Sequence, residues 1–221
     1  MRRYIGVLFD LDGTLINSEG LGSEAYNYGV QKVLNRELNE SEKQYLLGKP
    51  FKALDVIFPF LSPSEKEKII EETLAYYRKY NHQIKEYPGI REMIKILHEN
   101  EFILGIVTAK LRENAENELR NTGLLPFFEA VLAKEDCLDF KPSPVPLLQL
   151  SEKLNLQPNL CLYVGDQPTD IQATHAANMT SVAALWGEGK LERLSPLNPT
   201  FLINNPNQLI ELLLNYHERT D

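Results

Sequence analysis

Two pairs of aspartates follow short apolar segments, and they are the residues of this sequence best suited to chemistry. One pair follows segment 4–9, and the other follows segment 160–164. The four residues are Asp10, Asp12, Asp166 and Asp170. In an open α/β sheet, ligands bind beyond the carboxyl ends of the strands. If the two segments form neighbouring parallel strands, the four carboxylates therefore converge on one place.

Crowded carboxylates repel one another, and a bound divalent cation is the simplest way to offset that repulsion. Oxygen ligands without histidine or cysteine favour Mg²⁺ over zinc or copper. We therefore expect Mg²⁺ as the cofactor, with the four aspartates as candidate ligands. The structural alternative is that aspartates cap helices and form turns. This alternative applies most to Asp170, which could cap a helix or orient its neighbours.

Two further polar residues occupy comparable positions. Thr108 follows the apolar segment 102–107, where its hydroxyl could donate to a phosphate oxygen. Lys141 lies in a loop before a predicted helix, where it could neutralise phosphate charge and relieve the crowding of the carboxylates. Either residue alone is weak evidence, because a lysine before a proline is commonly a solvated loop residue.

The elements that position these residues alternate between strands and helices. Short continuous apolar segments are typical of strands that are buried on both faces of a parallel sheet. Such segments predict strands at 4–9, 102–107, 130–133, 160–164, 181–185 and 201–203. Helical patterns lie at 90–100, 111–122, 144–154, 168–177 and 206–216. The alternation predicts an α/β fold with a doubly wound (Rossmann-like) parallel sheet of five to six strands.

One segment interrupts this alternation. The stretch between the first two predicted strands is far longer than a single crossover connection needs. Residues 17–84 contain no convincing strand and show helical patterns at 22–34, 40–47, 50–58 and 63–82. We therefore predict a core domain formed by residues 1–16 and 85–221, with an inserted helical cap domain at 17–84.

Composition and charge exclude several classes of function. The chain has 221 residues and a net charge of −8, so a nucleic-acid partner, which needs a basic surface, is not expected. No apolar segment approaches the ~20 residues of a membrane span. The two cysteines, Cys137 and Cys161, show no metal-binding spacing, and they are compatible with a cytoplasmic location.

The order of these motifs resembles that of the haloacid dehalogenase superfamily. The first motif is Phe-Asp-Leu-Asp-Gly-Thr-Leu at 9–15, and Thr108 stands where the second is expected. Lys141-Pro142 and Gly-Asp-Gln-Pro-Thr-Asp at 165–170 complete the set. The resemblance covers essentially the whole chain. It is strongest to members like phosphoglycolate phosphatase and pyrophosphatase, which have a helical cap of four helices and a Trp-Gly-x-Gly segment similar to residues 186–189.

The resemblance implies a phosphatase with assigned catalytic residues. Asp10 would be the nucleophile that forms an aspartyl-phosphate, and Asp12 would be the acid and base. True dehalogenases lack the second aspartate, because a halide leaves without a proton. Gly13 would allow close backbone approach, and Thr14 would fix the loop.

The same resemblance implies how the cofactor and the phosphate would be held. Mg²⁺ would be bound by the Asp10 carboxylate, the Asp12 backbone carbonyl and Asp166. Asp170 would act through water in an outer shell or orient Lys141. Thr108 and Lys141 would complete the phosphate site.

Four other residues are candidates for substrate binding. Ala109 replaces the Asn or Ser that many members have after the hydroxyl residue, which removes one side-chain contact. Lys110 could lean toward the site and favour a substrate with extra negative charge, or it could be a solvated lysine at the start of a helix. In the cap, Gly48 and Lys49 lie in a loop that could enter the site, although an ordinary turn between helices is the alternative.

We therefore expect a Mg²⁺-dependent phosphatase that acts on a small phosphorylated metabolite, such as phosphoglycolate or pyrophosphate. Alternatives are a sugar-phosphate phosphomutase of the same superfamily, or a non-catalytic phosphate-binding regulatory protein. A monomer or a homodimer is expected, without a nucleic-acid or membrane partner.

Overall fold

The computed structural model describes residues 4–46, 49 and 51–214. These described residues contain eight strands: β1 Gly6–Phe9, β2 Ile16–Asn17, β3 Lys85–Glu86, β4 Ile103–Val107, β5 Ala130–Leu132, β6 Cys161–Gly165, β7 Thr180–Ala184 and β8 Phe201–Ile203. The α-helices within these residues are α1 Glu19–Leu34, α2 Glu40–Leu46, α3 Leu54–Ile57, α4 Pro63–Tyr80, α5 Ile90–Glu99, α6 Arg112–Asn121, α7 Val145–Lys153, α8 Pro168–Ala176, α9 Leu191–Leu194 and α10 Pro206–Leu214. Within the same residues, no helix combines the length and the apolar character needed to cross a membrane.

Six of the strands form one parallel sheet, in the order β5-β4-β1-β6-β7-β8. The chain therefore starts in the middle of the sheet, builds one side through β4 and β5, and then crosses to β6 on the other side of β1. This order confirms the predicted α/β fold with a parallel sheet. It also makes β4 and β6 the two neighbours of β1, which brings the ends of these three strands together.

The sheet is buried on both faces. Every residue of β1 is buried, as expected for a strand with helices on either side. On one face, side chains from the central strands pack against α7 and α8; this cluster includes Leu8, Val107, Leu147, Leu150, Tyr163 and Ala173. The alternate residues of the strands are buried as well, and α5 contacts β4 and packs against α10.

A small antiparallel pair was not predicted. Ile16 pairs with Glu86, and Asn17 pairs with Lys85, in a two-stranded sheet. Residue 17 was assigned to the helical insert, whereas Asn17 belongs to this short pair, so the predicted boundary differs by one residue. Two-residue strands carry no apolar periodicity, which explains why the sequence pattern did not indicate them. The short helix α9 was missed for the same reason.

The chain divides into two compact units. One contains residues 1–17 and 85–221, and the other contains residues 18–84. The second unit is entirely helical among its described residues. The predicted helix at 63–82 is α4, and Ser62 caps it: its Oγ accepts from the Glu65 backbone N–H, while Glu65 accepts from the Ser62 backbone N–H. Part of the predicted helix at 50–58 is instead a 3₁₀ turn at Phe51–Ala53 followed by α3.

In the helical unit, α1 and α4 pack closely at one glycine. A Cβ atom at Gly29 of α1 would lie 2.3 Å from Thr73 Oγ1 and 2.6 Å from the backbone oxygen of Ile69, both in α4. Such contacts are far shorter than van der Waals distances, so the two helices would have to separate. Gly22 lies in the same helix and has no atom within 4 Å of an added Cβ.

We expect Gly29→Ala to destabilise the protein by about 1–3 kcal/mol, because overpacking forces backbone shifts. Gly22→Ala is the matched control, and it should be neutral or stabilise by up to about 1 kcal/mol, since alanine favours helix. Urea denaturation of both variants measures the difference. Equal free energies of unfolding for the two variants would show that the close packing at Gly29 is not a constraint.

Candidate active site

The ends of β1, β4 and β6 place three polar residues side by side. Asp10 follows β1, Thr108 follows β4 and Asp166 follows β6. All three are buried, and the Asp10 backbone N–H donates to the Val164 oxygen of the neighbouring strand at 2.9 Å. Parallel pairing of β1 with both neighbours therefore fixes the carboxylates and the hydroxyl at one edge of the sheet.

Lys141 is the cation at the centre of this group. Its Nζ lies 2.7 Å from Asp10 Oδ1, 2.7 Å from Asp170 Oδ1 and 2.8 Å from the Tyr163 hydroxyl. The Tyr163 hydroxyl in turn donates to the Val107 backbone oxygen at 3.1 Å. A lysine side chain is long and flexible, and these contacts hold its ammonium in one position. Lys141, a loop lysine for which a solvated position was the alternative, is therefore largely enclosed by the site and paired with its carboxylates.

Asp170 serves two partners at the start of α8. Its Oδ2 accepts from the Gln167 backbone N–H at 2.9 Å, while its Oδ1 forms the ion pair with Lys141. Gln167, and not Asp170, is the N-cap residue of α8; Asp170 is the third helical residue, and its carboxylate accepts from the N-cap backbone while it also contacts the lysine. Gly165 is required beside it, since an added Cβ there would lie 2.4 Å from Asp170 Cγ.

Asp166 is held by two side chains. Thr14 Oγ1 donates to Asp166 Oδ1 at 2.7 Å, and Gln167 Nε2 donates to Oδ2 at 2.7 Å. Arg193 donates to the Gln167 side-chain oxygen at 2.8 Å and so fixes the amide. The Thr14 contact connects the loop after β1 directly to the end of β6.

The loop after β1 is also held from the opposite direction. The Trp186 indole N–H donates to the Thr14 backbone oxygen at 2.8 Å, and the Glu188 backbone N–H donates to the Gly13 oxygen at 3.2 Å. Gly187 allows this approach, because an added Cβ would lie 2.0 Å from the Gly13 oxygen. Gly13 has a φ of +77°, a conformation that glycine adopts without strain.

Three of the carboxylates can share a divalent cation. Oxygen atoms of Asp10, Asp166 and Asp170 lie within 4.8 Å of one another, and all three residues are buried. With Lys141 as the one cation between them, the group keeps an excess of negative charge when ionised. Apart from its ion pair with Lys141, Asp170 Oδ1 accepts no hydrogen bond from the described residues. An all-oxygen, net-negative, buried group of this kind fits a hard divalent cation.

The electrostatics of the carboxylates agree with this fit. Burial raises the pKa of Asp166 from its ordinary value of 3.8 to about 7, and repulsion from Asp170 adds to the effect. Burial also raises the pKa of Asp10 well above its usual range, with further contributions from Asp170 and Asp166 that Lys141 only partly offsets. Ionisation of these carboxylates therefore costs free energy in the folded protein, and a bound cation would offset that cost.

Asp12 lies in a different environment from the other three aspartates. Its Oδ1 lies 2.5 Å from Lys110 Nζ, and the same ammonium contacts the buried Glu118 carboxylate. The Lys110 backbone N–H also donates to Thr108 Oγ1 at 3.1 Å. That contact uses the Thr108 oxygen as an acceptor, so the hydroxyl proton can still be donated to a phosphate.

The remaining candidates for substrate binding are less closely connected to this group. Ala109 is exposed beside Thr108. In the helical unit, the Lys49 ammonium lies 3.7 Å from the centre of the Tyr45 ring, and the Lys49 backbone oxygen accepts from the Tyr26 hydroxyl. Gly48 lies outside the described residues. A role for these residues in substrate binding stays a prediction.

Three residues that contact the site were not predicted from the sequence. Tyr163 is in an apolar strand and looks like a core residue, although its position two residues before Gly165 places it near the strand end. Gln167 is next to Asp166 and could have been found by that adjacency. Glu118 is in the middle of a polar helix, and only its burial distinguishes it from its neighbours.

A parallel α/β sheet with three buried aspartates, a lysine and a threonine hydroxyl at its carboxyl edge is the arrangement that the haloacid dehalogenase motifs predict. The sequence profile described as haloacid dehalogenase-like hydrolase matches residues 7–184. This chain therefore belongs to the haloacid dehalogenase-like hydrolase family.

Named relatives and solved structures agree with this assignment. Pyrophosphatase PpaX of Bacillus cereus is 31% identical over 95% of this chain and 96% of its own length. Pyrophosphatase PpaX of Anoxybacillus flavithermus is 30% identical, over 94% and 95%. The crystal structure of a predicted phosphoglycolate phosphatase from Haemophilus somnus is 23% identical and gives a TM-score of 0.87, covering 96% of this chain and 99% of that one. The last comparison shows the shared fold.

Cation binding should depend on pH. Because the pKa of Asp166 is raised in the folded state, its contribution to stability is present at low pH and is lost as the pH rises through about 7. Mg²⁺ at about 100 times its Kd contributes about 2.7 kcal/mol, which corresponds to about 5–10 °C in Tm for a chain of this size. We expect this increase to be larger at about pH 8 than at about pH 5.5, since the cation displaces protons.

Thermal unfolding with and without Mg²⁺ at both pH values measures this effect. Asp166→Asn should lose most of the increase, whereas Asp55→Asn, the same change at an exposed aspartate, should keep it. An increase that is equal at the two pH values, or that survives Asp166→Asn, would contradict the assigned site.

Proposed function

We propose that the protein is a Mg²⁺-dependent phosphatase that hydrolyses a small phosphorylated metabolite through an aspartyl-phosphate on Asp10. The observation that supports the proposal most directly is the contact of Lys141 with both Asp10 and Asp170 at 2.7 Å, inside a group of three buried carboxylates. Charge neutralisation and positioning dominate phosphoryl transfer, and this arrangement provides both.

In the proposed reaction, a carboxylate oxygen of Asp10 attacks phosphorus while the bond from phosphorus to the leaving oxygen breaks. Asp12 donates a proton to that oxygen, so the leaving group departs neutral at this atom. Asp12 then takes a proton from water as the water oxygen attacks the phosphorus of the intermediate. The bond between Asp10 and phosphorus breaks, which releases inorganic phosphate and restores the Asp10 carboxylate.

Other residues bind and orient the reacting groups. Lys141 would offset negative charge on the phosphoryl oxygens while its contacts with Asp170 and Tyr163 hold it in place. The Thr108 hydroxyl would donate to a phosphoryl oxygen. Bound Mg²⁺, held by Asp10 and Asp166 with Asp170 beside them, would supply charge neutralisation to the transferring phosphoryl group.

We propose pyrophosphate or a phosphoglycolate-like monoester as the substrate. Support comes from the relatives named pyrophosphatase, which align over nearly their whole length. Lys110 gives weaker support for a substrate with extra negative charge than the sequence indicated, since its ammonium contacts Asp12 and Glu118. The helical unit at 18–84 and its Lys49 remain candidates for binding the part of the substrate beyond the phosphate.

Replacement of the nucleophile tests the chemistry. Asp10→Asn should lower phosphate release from an aryl phosphate in Mg²⁺ by at least about 10³-fold, because the amide cannot form the acyl-phosphate. Asp55→Asn should retain the wild-type rate. An Asp10→Asn variant with wild-type turnover would exclude the proposed mechanism.

A panel of phosphorylated metabolites tests the substrate. With Mg²⁺ present, kcat/KM for pyrophosphate or phosphoglycolate should exceed that for sugar phosphates and nucleotides by about tenfold or more, equivalent to about 1.4 kcal/mol of transition-state binding. Released phosphate is the readout, which also separates hydrolysis from the phosphomutase alternative. A clear preference for a sugar phosphate would contradict the substrate proposal but leave the phosphatase chemistry intact.

A further inference from the structure

Glu118 is a buried carboxylate at the edge of the active site that neither the sequence motifs nor the proposed reaction uses. We propose that Glu118 is a positioning residue: it fixes the Lys110 ammonium, and Lys110 in turn holds the Asp12 carboxylate apart from the three carboxylates that can share a cation. The inference rests on the acid and base role proposed for Asp12. It extends that role by naming the residues that keep Asp12 in place.

The position of Glu118 explains why it must keep a cationic partner. It is fully buried on the inner face of α6, between the buried residues Ala115 and Leu119. A buried ionised carboxylate without a cationic partner is strongly destabilising. The Lys110 ammonium contacts it directly. Separating the pair would leave the buried Glu118 carboxylate without a cation, which is unfavourable.

The backbone of Lys110 is fixed as well. Its N–H donates to Thr108 Oγ1 at 3.1 Å, and its backbone oxygen accepts from the Lys134 N–H at 2.9 Å. A lysine normally loses much side-chain freedom when it forms a contact. Here the backbone contacts and Glu118 fix both ends of the side chain, so the ammonium is presented to Asp12 in one place.

The contact with Asp12 separates two functions that neighbouring carboxylates would otherwise share. Asp12 Oδ1 lies 2.5 Å from Lys110 Nζ, whereas Asp10, Asp166 and Asp170 form the group that can bind a cation. If the Asp12 carboxylate turned into that group, it would compete for the cation. It would then no longer be placed to protonate the leaving oxygen. Lys110, held by Glu118, prevents this rearrangement.

The test compares two esters with Glu118→Gln, which keeps the side-chain shape and removes the charge. Phenyl phosphate has a poor leaving group that needs a proton, and dinitrophenyl phosphate has a good one that does not. We expect kcat/KM for phenyl phosphate to fall about 10- to 100-fold, the range found for residues that orient a catalytic group. The loss for dinitrophenyl phosphate should stay below about threefold. Glu116→Gln, the same change at a partly exposed glutamate of α6, is the matched control and should keep both rates.

The outcomes separate positioning from structure. Equal losses for both esters, no loss for either, or a rise in KM alone would overturn the proposal. Lys110→Met combined with Glu118→Leu removes both charges and preserves an apolar interior, so it guards against simple misfolding. This double variant should show the same loss that depends on the leaving group, and wild-type rates from it would overturn the proposal. A wild-type protein that releases phosphate from neither ester and from neither pyrophosphate nor phosphoglycolate would instead overturn the proposed function, and this inference with it.

Discussion

The crowding of three buried carboxylates around one lysine ammonium is the constraint on which the rest of the site depends. Lys141 contacts Asp10 and Asp170 at 2.7 Å each, and Asp166 lies close enough to share a cation with both. Burial and mutual repulsion raise the pKa values of Asp10 and Asp166, so the arrangement is costly when it is fully ionised. The same cost favours binding of a small, highly charged cation, whose charge would in turn favour an anion beside it. The net charge of −8 of the whole chain is therefore compatible with the phosphorylated ligand proposed above.

The fold makes this crowding possible by its strand order. The order β5-β4-β1-β6-β7-β8 places the first strand between β4 and β6, so residues about 100 and 150 positions apart in the chain meet at one edge. Around them, hydrogen bonds connect the separate segments. Thr14 binds Asp166, Trp186 binds the Thr14 backbone, and Tyr163 binds Lys141. The first two contacts join loops and the third joins strand β6 to the loop of Lys141, so the geometry of the site depends on several segments together.

Much of this arrangement could be predicted from the sequence, and the remainder could not for identifiable reasons. The apolar segments before Asp10, Thr108 and Asp166 predict buried parallel strands, and the rule for strand ends then brings these residues together. The family resemblance offered the contact of Lys141 with Asp170 as one alternative, but the local pattern could not decide it, because a lysine in a loop has the same pattern whether it is buried or solvated. Glu118 is in a helix of mostly charged residues, so its burial depends on how α6 packs and not on its neighbours in sequence. The pair of strands at Ile16–Asn17 and Lys85–Glu86 is too short to show a periodicity.

The most direct test of the account is to trap and locate the phosphoryl group during turnover. The enzyme would be mixed with substrate and Mg²⁺, quenched in acid, and treated with borohydride, which reduces an aspartyl-phosphate to homoserine. Peptide mass spectrometry then identifies the modified residue. The account predicts homoserine in place of Asp10, dependent on both substrate and Mg²⁺. Steady release of phosphate without any modified peptide, or modification at a different residue, would contradict it.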